Sequence, residues 1–290
     1  NKNLIFFYII TSINVYSQFD ISLFCSIVIN NKIQIKDTDS VKGDDFTMHI
    51  KEILTEKNTD YSSNSIPTIV FLGDSVTHGC FEVIEGNNKP LEVICDFEAV
   101  YHNQLKKLLN MVFPFTPINT INAGISGDTA AGGLQRLDRD VLSFNPHLVV
   151  ICYGLNDSNR GREKLHEYRD SLLGIFSKLK ANNTEIVFMT PNMKNTYISP
   201  LIKNPLLREM ARINMETQLD GTFNEYINCV REICRKEEVT ICDCYSKWQK
   251  MYRDNIDTTI LLSNLINHPT REMHKLFAWS LFELIVFSDK

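Results

Sequence analysis

The 290-residue sequence predicts an α/β protein, a three-layer α/β/α sandwich in which a five-stranded parallel sheet lies between two layers of helices. Beyond residue 65, short apolar runs alternate with longer segments whose apolar residues recur at helical spacing. The short runs are apolar throughout, which is typical of parallel strands that are covered on both faces. Hydrophobic residues make up 43% of the chain, enough to bury the core of such a domain.

Five strands and five helical segments are predicted in alternation. The strands are TIVFL (68–72), INTINA (118–123), HLVVICY (147–153), EIVFMT (185–190) and VTICDC (239–244). The helical segments are 97–113, 130–144, 163–181, 205–237 and 271–287. In open parallel sheets, ligands bind outside the carboxyl ends of the strands, so the residues that follow these runs are the candidates for a site.

The first 65 residues differ in character from the rest of the chain. We expect residues 1–65 to be an N-terminal extension or fragment that ends in a polar linker, and residues 66–290 to form the main domain. The apolar stretch 4–18 has the length of a secretory signal but is shorter than a spanning helix, so no stable membrane span is expected. It also fits a fragment of an upstream element, and both interpretations stay open.

Charge and cysteine content exclude several classes of partner. Acidic residues outnumber basic ones by 35 to 30 without long runs of either sign, which argues against a nucleic-acid binder. Four of the eight cysteines lie close together (Cys229, Cys234, Cys242, Cys244), but their spacing does not match paired CxxC zinc motifs, so no metal is expected. Free cysteines favour the cytoplasm, whereas a signal peptide would mean secretion, and the localisation stays undecided.

Polar residues follow three of the predicted strands and precede the last helix. Asp74 and Ser75 follow the first strand, NAGISGDTAAGG (122–133) the second and GLNDSNRG (154–161) the third, and NHPTREMH (267–274) leads into the final helix. A serine nucleophile needs a base within hydrogen-bond reach, and histidine is the usual one. We therefore expect Ser75 to meet His268 at this edge of the sheet.

The same loops carry donors for a developing negative charge. Attack on an acyl carbon places this charge on oxygen, which requires preorganised hydrogen-bond donors. The backbone at Gly127 can approach closely because glycine lacks Cβ, and the Asn156 amide offers two donors without a charge. Ser75, His268, Gly127 and Asn156 are thus the candidate catalytic residues.

Four short motifs resemble those of the SGNH, or GDSL-type, hydrolases: GDSVT around Ser75, SGDT around Gly127, GLND around Asn156 and HP at His268. They occur in the family's order, and the resemblance covers residues 66–287. It implies a flavodoxin-like sandwich and ester hydrolysis without a metal or organic cofactor. The implied roles are Ser75 as nucleophile, His268 as base, and Ser75 N–H, Gly127 N–H and Asn156 as the oxyanion hole.

One position departs from this family pattern. The family usually has an aspartate three residues before the histidine, where it orients the ring, and here that residue is Leu265. Several replacements stay open: the side chains of Asn264 or Asn267, a backbone carbonyl, or a carboxylate from upstream. The upstream candidates are Asp254 and Asp257. Loss of the acid with the wrong histidine tautomer can lower the rate by about 10⁴-fold.

Other residues are assigned supporting or substrate-binding positions. We expect Asp74 to shape the loop at Ser75, His78 to form a wall of the pocket, and Asn192 and Asn195, after the fourth strand, to contact substrate. His274 is the rival base, but it lies within the predicted last helix.

The expected function is hydrolysis of a small acyl ester, such as an O-acetyl group on carbohydrate, a substrate class that rests on the resemblance alone. A lysophospholipase or thioesterase would use the same site on other substrates. A catalytically weak binding module on the same fold is a further alternative, because the histidine lacks its usual acid.

Overall fold

The computed structural model describes residues 48–62, 65–86 and 89–287. The apolar stretch 4–18, interpreted above as a signal or as part of an upstream element, lies outside these residues. Within the predicted linker, helix α1 (His49–Thr59) begins where Glu185 accepts hydrogen bonds from the N–H groups of His49 and Ile50 at 3.1 and 2.9 Å. Ile50 and Leu54 of α1 are part of the main hydrophobic core. The division of the chain at residue 66 stays a prediction.

The described part of the chain contains seven strands in two sheets. They are β1 (Thr68–Gly73), β2 (Cys80–Ile84), β3 (Glu92–Cys95), β4 (Asn119–Gly124), β5 (Leu148–Cys152), β6 (Glu185–Met189) and β7 (Thr240–Cys242). Five of them form a parallel sheet in the order β4-β1-β5-β6-β7. Counting only these five along the chain, the order is 2-1-3-4-5, which is that of flavodoxin-like folds. The other two, β2 and β3, pair as an antiparallel hairpin.

Ten α-helices are described. They are α2 (Ser75–His78), α3 (Tyr101–Val112), α4 (Ala130–Asp140), α5 (Leu155–Ser158), α6 (Leu165–Ala181), α7 (Pro205–Leu219), α8 (Thr222–Lys236), α9 (Cys244–Arg253) and α10 (Arg271–Phe287), besides α1. None of the helices in the described residues is both long and apolar enough to cross a membrane.

The helices form one layer on each face of the sheet. Right-handed crossovers place the connection from β1 to β4 on one face and the connections that run towards β7 on the other. Accordingly α3, α10 and α1 pack together, whereas α6 packs against α4 and α8. The central strands β1 and β5 are buried along their whole length, which explains why both read as apolar throughout.

The predicted three-layer fold with a five-stranded parallel sheet is confirmed. The observed strands differ from the predicted ones mainly at their ends, as for β4, which starts one residue later. The long helical segment 205–237 is two helices, because the chain turns at Asp220 and Gly221, where Gly221 has φ of 87°. The sequence pattern did not predict helix α9 or the β2–β3 hairpin, and the hairpin contributes directly to the site.

Candidate functional site

Ser75 lies at the junction of the central strand β1 and the short helix α2. Asp74 caps this helix, since its Oδ1 accepts a hydrogen bond from Val76 N–H at 3.0 Å. Gly73 lets strand and helix meet, because a Cβ there would collide with Thr77 Oγ1. The chain turns sharply from the buried strand into the helix, and this turn presents Ser75 at the carboxyl edge of the sheet.

His268 reaches Ser75 from the loop before α10. Its Nε2 lies 2.9 Å from Ser75 Oγ, and its side chain is buried. Asn264 shapes this loop, because its Oδ1 accepts the backbone N–H groups of Ile266, Asn267 and His268 at 2.9–3.0 Å. The structure therefore brings together the two residues that the sequence predicts as nucleophile and base.

The other ring nitrogen of His268 contacts the backbone of the hairpin. Nδ1 lies 3.0 Å from the carbonyl oxygen of Phe81, in β2. A carbonyl can only accept, so Nδ1 carries the proton and Nε2 is free to accept from the Ser75 hydroxyl.

Each side chain named as a substitute for the missing acid has other partners. Asn267 Oδ1 accepts from the Asn264 amide at 2.9 Å. Asp257 accepts from Tyr197 Oη at 2.7 Å, and Asp254 from Lys250 at 2.9 Å. Among the candidate acceptors for His268 Nδ1, the structure places a backbone carbonyl, that of Phe81, at hydrogen-bond distance.

Burial governs the protonation of His268. Loss of hydration lowers the pKa of its imidazole to about 4, and the Phe81 carbonyl and the charge of Glu82 oppose this shift. The imidazole is thus neutral at pH 7 and able to accept a proton.

Gly127 and Asn156 lie in the second and third strand-end loops, which a hydrogen bond joins. Gly127 has φ of +80°, a conformation that side chains rarely adopt. One N–H of the Asn156 amide donates to the carbonyl of Asp128 at 2.8 Å. This hydrogen bond connects the loop after β4 to helix α5.

A buried arginine fixes the loop after β4. Arg136 in α4 donates to Asp128 Oδ2 at 2.8 Å, to Tyr153 Oη at 2.8 Å, and to the backbone carbonyls of Ala123 and Gly73 at 2.7 and 3.2 Å. Its guanidinium therefore connects the ends of β1 and β4 with the residue that follows β5.

Two further carboxyls near these loops are buried. Asp157 accepts hydrogen bonds from the N–H groups of Gly154 and Ala130 at 3.1 and 2.9 Å, and burial raises its pKa to about 6. Burial likewise raises the pKa of Asp74 to about 7, and Asp74 Oδ2 has no hydrogen-bond partner among the residues that the structure describes.

Two of the three predicted substrate-binding residues are buried, and the third is not. Asn192 and Asn195 are fully buried, and their amides donate to backbone carbonyls, including that of Asn267 from Asn192 at 2.9 Å. Asn192 thus braces the histidine loop. His78 is partly exposed and stacks on Phe97 with ring centres 5.9 Å apart.

The rival base His274 is turned away from Ser75. It is fully buried in α10, where its Nδ1 accepts the backbone N–H of Tyr101 at 3.1 Å and its ring lies 4.7 Å from that of Phe81. Burial lowers its pKa to about 3.

Comparisons with known proteins identify the family of this chain. The model of the GDSL-like lipase/acylhydrolase family matches residues 71–276, well over half of the chain. An acetylxylan esterase from Geobacillus stearothermophilus is 26% identical over 231 residues, which are 76% of this chain and 94% of that protein. Esterase TesA from Pseudomonas aeruginosa is 37% identical over 82 residues, 27% of this chain and 40% of that protein.

Solved structures share the fold. The acetyl xylan esterase AlAXEase superposes with a TM-score of 0.56 at 20% identity, covering 76% of this chain and all of that one (100%). A gut microbial diltiazem-metabolizing enzyme gives 0.57 at 21% identity over 77% of this chain, which spans about half, 47%, of that protein's length. Because the family model matches most of the chain, the chain belongs to the GDSL-like lipase/acylhydrolase family and is a carboxylic ester hydrolase.

Proposed function

We propose that this protein is a serine esterase that removes small acyl groups, with O-acetyl groups on carbohydrate as its substrate class. The observation that carries the proposal is the hydrogen-bonded series from Ser75 Oγ through both nitrogens of His268 to the Phe81 carbonyl, with separations of 2.9 and 3.0 Å. The substrate class rests on the similarity to an acetylxylan esterase over 94% of that protein's length.

The first half-reaction forms an acyl-enzyme. Ser75 Oγ attacks the acyl carbon while its proton passes to Nε2 of His268, and the ester carbonyl oxygen becomes an oxyanion. The N–H groups of Ser75 and Gly127 and the second N–H of the Asn156 amide donate to that oxyanion. When the tetrahedral intermediate collapses, the C–O bond to the sugar breaks, and His268 returns its proton to the departing alcohol oxygen.

The second half-reaction releases the acid. Water attacks the acyl carbon as His268 Nε2 takes one of its protons, and collapse breaks the bond to Ser75 Oγ, which regains a proton. The imidazolium that forms in each half is stabilised by the Phe81 carbonyl at Nδ1 and by the negative charge of Glu82. A low pKa makes His268 a weak base, so these two interactions matter most in the transition states.

The short Ser75–His268 distance favours an enzyme over a catalytically weak binding module. A module that only binds ligand has no need of a histidine whose Nδ1 hydrogen bond leaves Nε2 free to accept from serine.

The test measures acetate release from acetylated xylan, together with hydrolysis of p-nitrophenyl acetate and p-nitrophenyl octanoate. We expect the acetyl substrates to be turned over and the Ser75→Ala and His268→Ala variants to lose about 10³-fold or more in kcat. Matched controls are Ser143→Ala and His166→Ala, whose exposed side chains contact the carbonyls of Arg139 and Glu163. A preference for octanoate would redirect the substrate class to lipid esters, and no serine-dependent hydrolysis of any ester would refute the esterase.

A further inference from the structure

Arg271 binds both strands of the β2–β3 hairpin. It is the first residue of α10, three residues after His268. Its Nη1 and Nη2 donate to the two carboxylate oxygens of Glu82 in β2 at 2.6 and 3.1 Å, and its Nε donates to Asp96, just after β3, at 2.9 Å. A guanidinium that binds both oxygens of a carboxylate fixes the direction of the contact. Arg271 therefore orients the hairpin relative to α10 as well as attracting it.

The same guanidinium covers the residue that orients the histidine. Arg271 Cζ lies 4.4 Å from the centre of the Phe81 ring, a cation–π contact. The backbone carbonyl of Phe81 lies 3.0 Å from His268 Nδ1. One side chain thus fixes Phe81 and its neighbour Glu82, next to the carbonyl on which the histidine depends.

All three members of this cluster are charged at neutral pH. The hydrogen bonds from Arg271 lower the pKa of Glu82 and of Asp96, and the two carboxylates raise the pKa of Arg271. Glu82 is the carboxylate whose charge acts on His268. The buried His274 also interacts electrostatically with His268. The positive charge of Arg271 therefore offsets part of the negative charge of Glu82 that acts on His268.

We propose that Arg271 is a positioning residue that holds the β2–β3 hairpin, and with it the Phe81 carbonyl, against Nδ1 of His268. Arg271 thus supports the carbonyl that stands in for the aspartate usual three residues before the histidine in this family. The proposal rests on the proposed function only for the role of His268 as base. The chain contacts the hairpin twice: His268 does so from the loop before α10, and Arg271 does so three residues later, at the start of α10.

The first test reads the tautomer of His268 directly, without turnover. Nitrogen-15 NMR of the histidine rings at neutral pH, with His268→Ala for assignment, is expected to show Nδ1 protonated in the wild type. Arg271→Gln is expected to mix the two tautomers or to accelerate exchange of the Nδ1 proton. Arg212→Gln is the control, because Arg212 also pairs with two carboxylates, Glu209 and Glu216, but within α7.

The second test measures kcat per titrated active site on p-nitrophenyl acetate, so that misfolded protein does not count. We expect Arg271→Gln to lower kcat about ten- to a hundred-fold with little change in KM, since misplacement of a catalytic group acts on the transition state. Arg271→Lys should retain more activity, because it keeps the charge without the bidentate geometry. Glu82→Gln should lose activity too, and the double variant should lose no more than the worse single one.

The outcomes separate the two proposals. If the wild type hydrolyses no ester while Arg271→Gln still changes the His268 tautomer, the esterase fails and the positioning role stands. If the wild type is active and Arg271→Gln keeps its kcat, its pH profile and its tautomer, the positioning role is overturned. If Arg271→Gln does not fold, Arg271→Lys and Glu82→Gln decide by the same criteria.

Discussion

Nδ1 of His268 donates to the carbonyl oxygen of Phe81 at 3.0 Å, so a backbone group occupies the place of the carboxylate usual in this family. The carbonyl selects the tautomer as an aspartate would, but it carries only a partial charge. The base is therefore correctly oriented and only weakly supported electrostatically. This difference should be visible in the pH dependence of the enzyme.

We expect the activity to persist in acid. Burial lowers the pKa of His268 to about 4, and the neutral imidazole is the active base, so kcat/KM should fall only as the pH drops through about 4. An exposed histidine would lose its neutral form near its ordinary pKa of about 6.5. The measurement is the pH profile of kcat/KM on p-nitrophenyl acetate, and a midpoint near 6.5 would contradict the account.

This profile needs a check on folding. The pKa values of His102, His268 and His274 are all lowered by burial, to about 4, 4 and 3. The unfolded chain therefore binds protons that the folded chain does not, and stability falls as the pH drops below about 6.5. Fluorescence of the protein at each pH separates loss of fold from protonation of the base.

Asp74→Asn should stabilise the protein increasingly as the pH rises. Burial raises the pKa of Asp74 to about 7 from its ordinary value of 3.8. The folded state thus keeps a proton that the unfolded state releases. As the pH rises between those two values, the unfolding free energy of the wild type falls by up to about 1.4 kcal/mol per pH unit. Asparagine keeps the oxygen that accepts from Val76 N–H and does not ionise.

Urea unfolding of both proteins at several pH values between about 5 and 7 measures this effect. The difference in unfolding free energy, variant minus wild type, is expected to grow with pH, because all other ionisable groups are shared. Parallel curves would show that Asp74 does not hold a proton in the folded protein.

Arg136→Gln should destabilise the fold and slow the reaction. Without the guanidinium, the largely buried carboxylate of Asp128 loses its charged partner and keeps neutral donors such as Tyr153 Oη. Removing one partner of a buried ion pair typically costs about 3–5 kcal/mol. The carbonyls of Gly73 and Ala123 also lose the hydrogen bonds from this guanidinium, which weakens the support of the loop that carries Gly127. Urea unfolding measures the first effect, and kcat per titrated active site the second.

Arg139→Gln is the matched control for this change. Arg139 lies in the same helix and pairs with Asp140, but its side chain is exposed, and exposed ion pairs contribute little to stability. Equal destabilisation by both variants would contradict the role assigned to Arg136.

The sequence predicts the large elements because burial determines them. β1 and β5 read as strands since both of their faces are covered, and Ser75 is recognisable because a polar residue follows such a run. The β2–β3 hairpin gives no such signal: the first two residues of β2 are buried, whereas β3 is mostly exposed.

The sequence alone does not identify the hydrogen-bond acceptor of His268 Nδ1 among the several candidates. Every residue has a backbone carbonyl, so no side-chain pattern marks Phe81 as the acceptor. Arg271 is equally inconspicuous in sequence, where an arginine at the start of a helix is most simply an exposed charge. Only the pairing of the hairpin places Glu82 and Asp96 on either side of it.

The central claim is that Ser75 is the nucleophile, and labelling with paraoxon tests it most directly. This organophosphate phosphorylates an activated serine with release of p-nitrophenol, and peptide mass mapping identifies the modified residue. The account predicts one diethylphosphoryl group, on Ser75, absent in Ser75→Ala and slow to form in His268→Ala. A folded wild type that stays unlabelled, or a label on another serine, would contradict it.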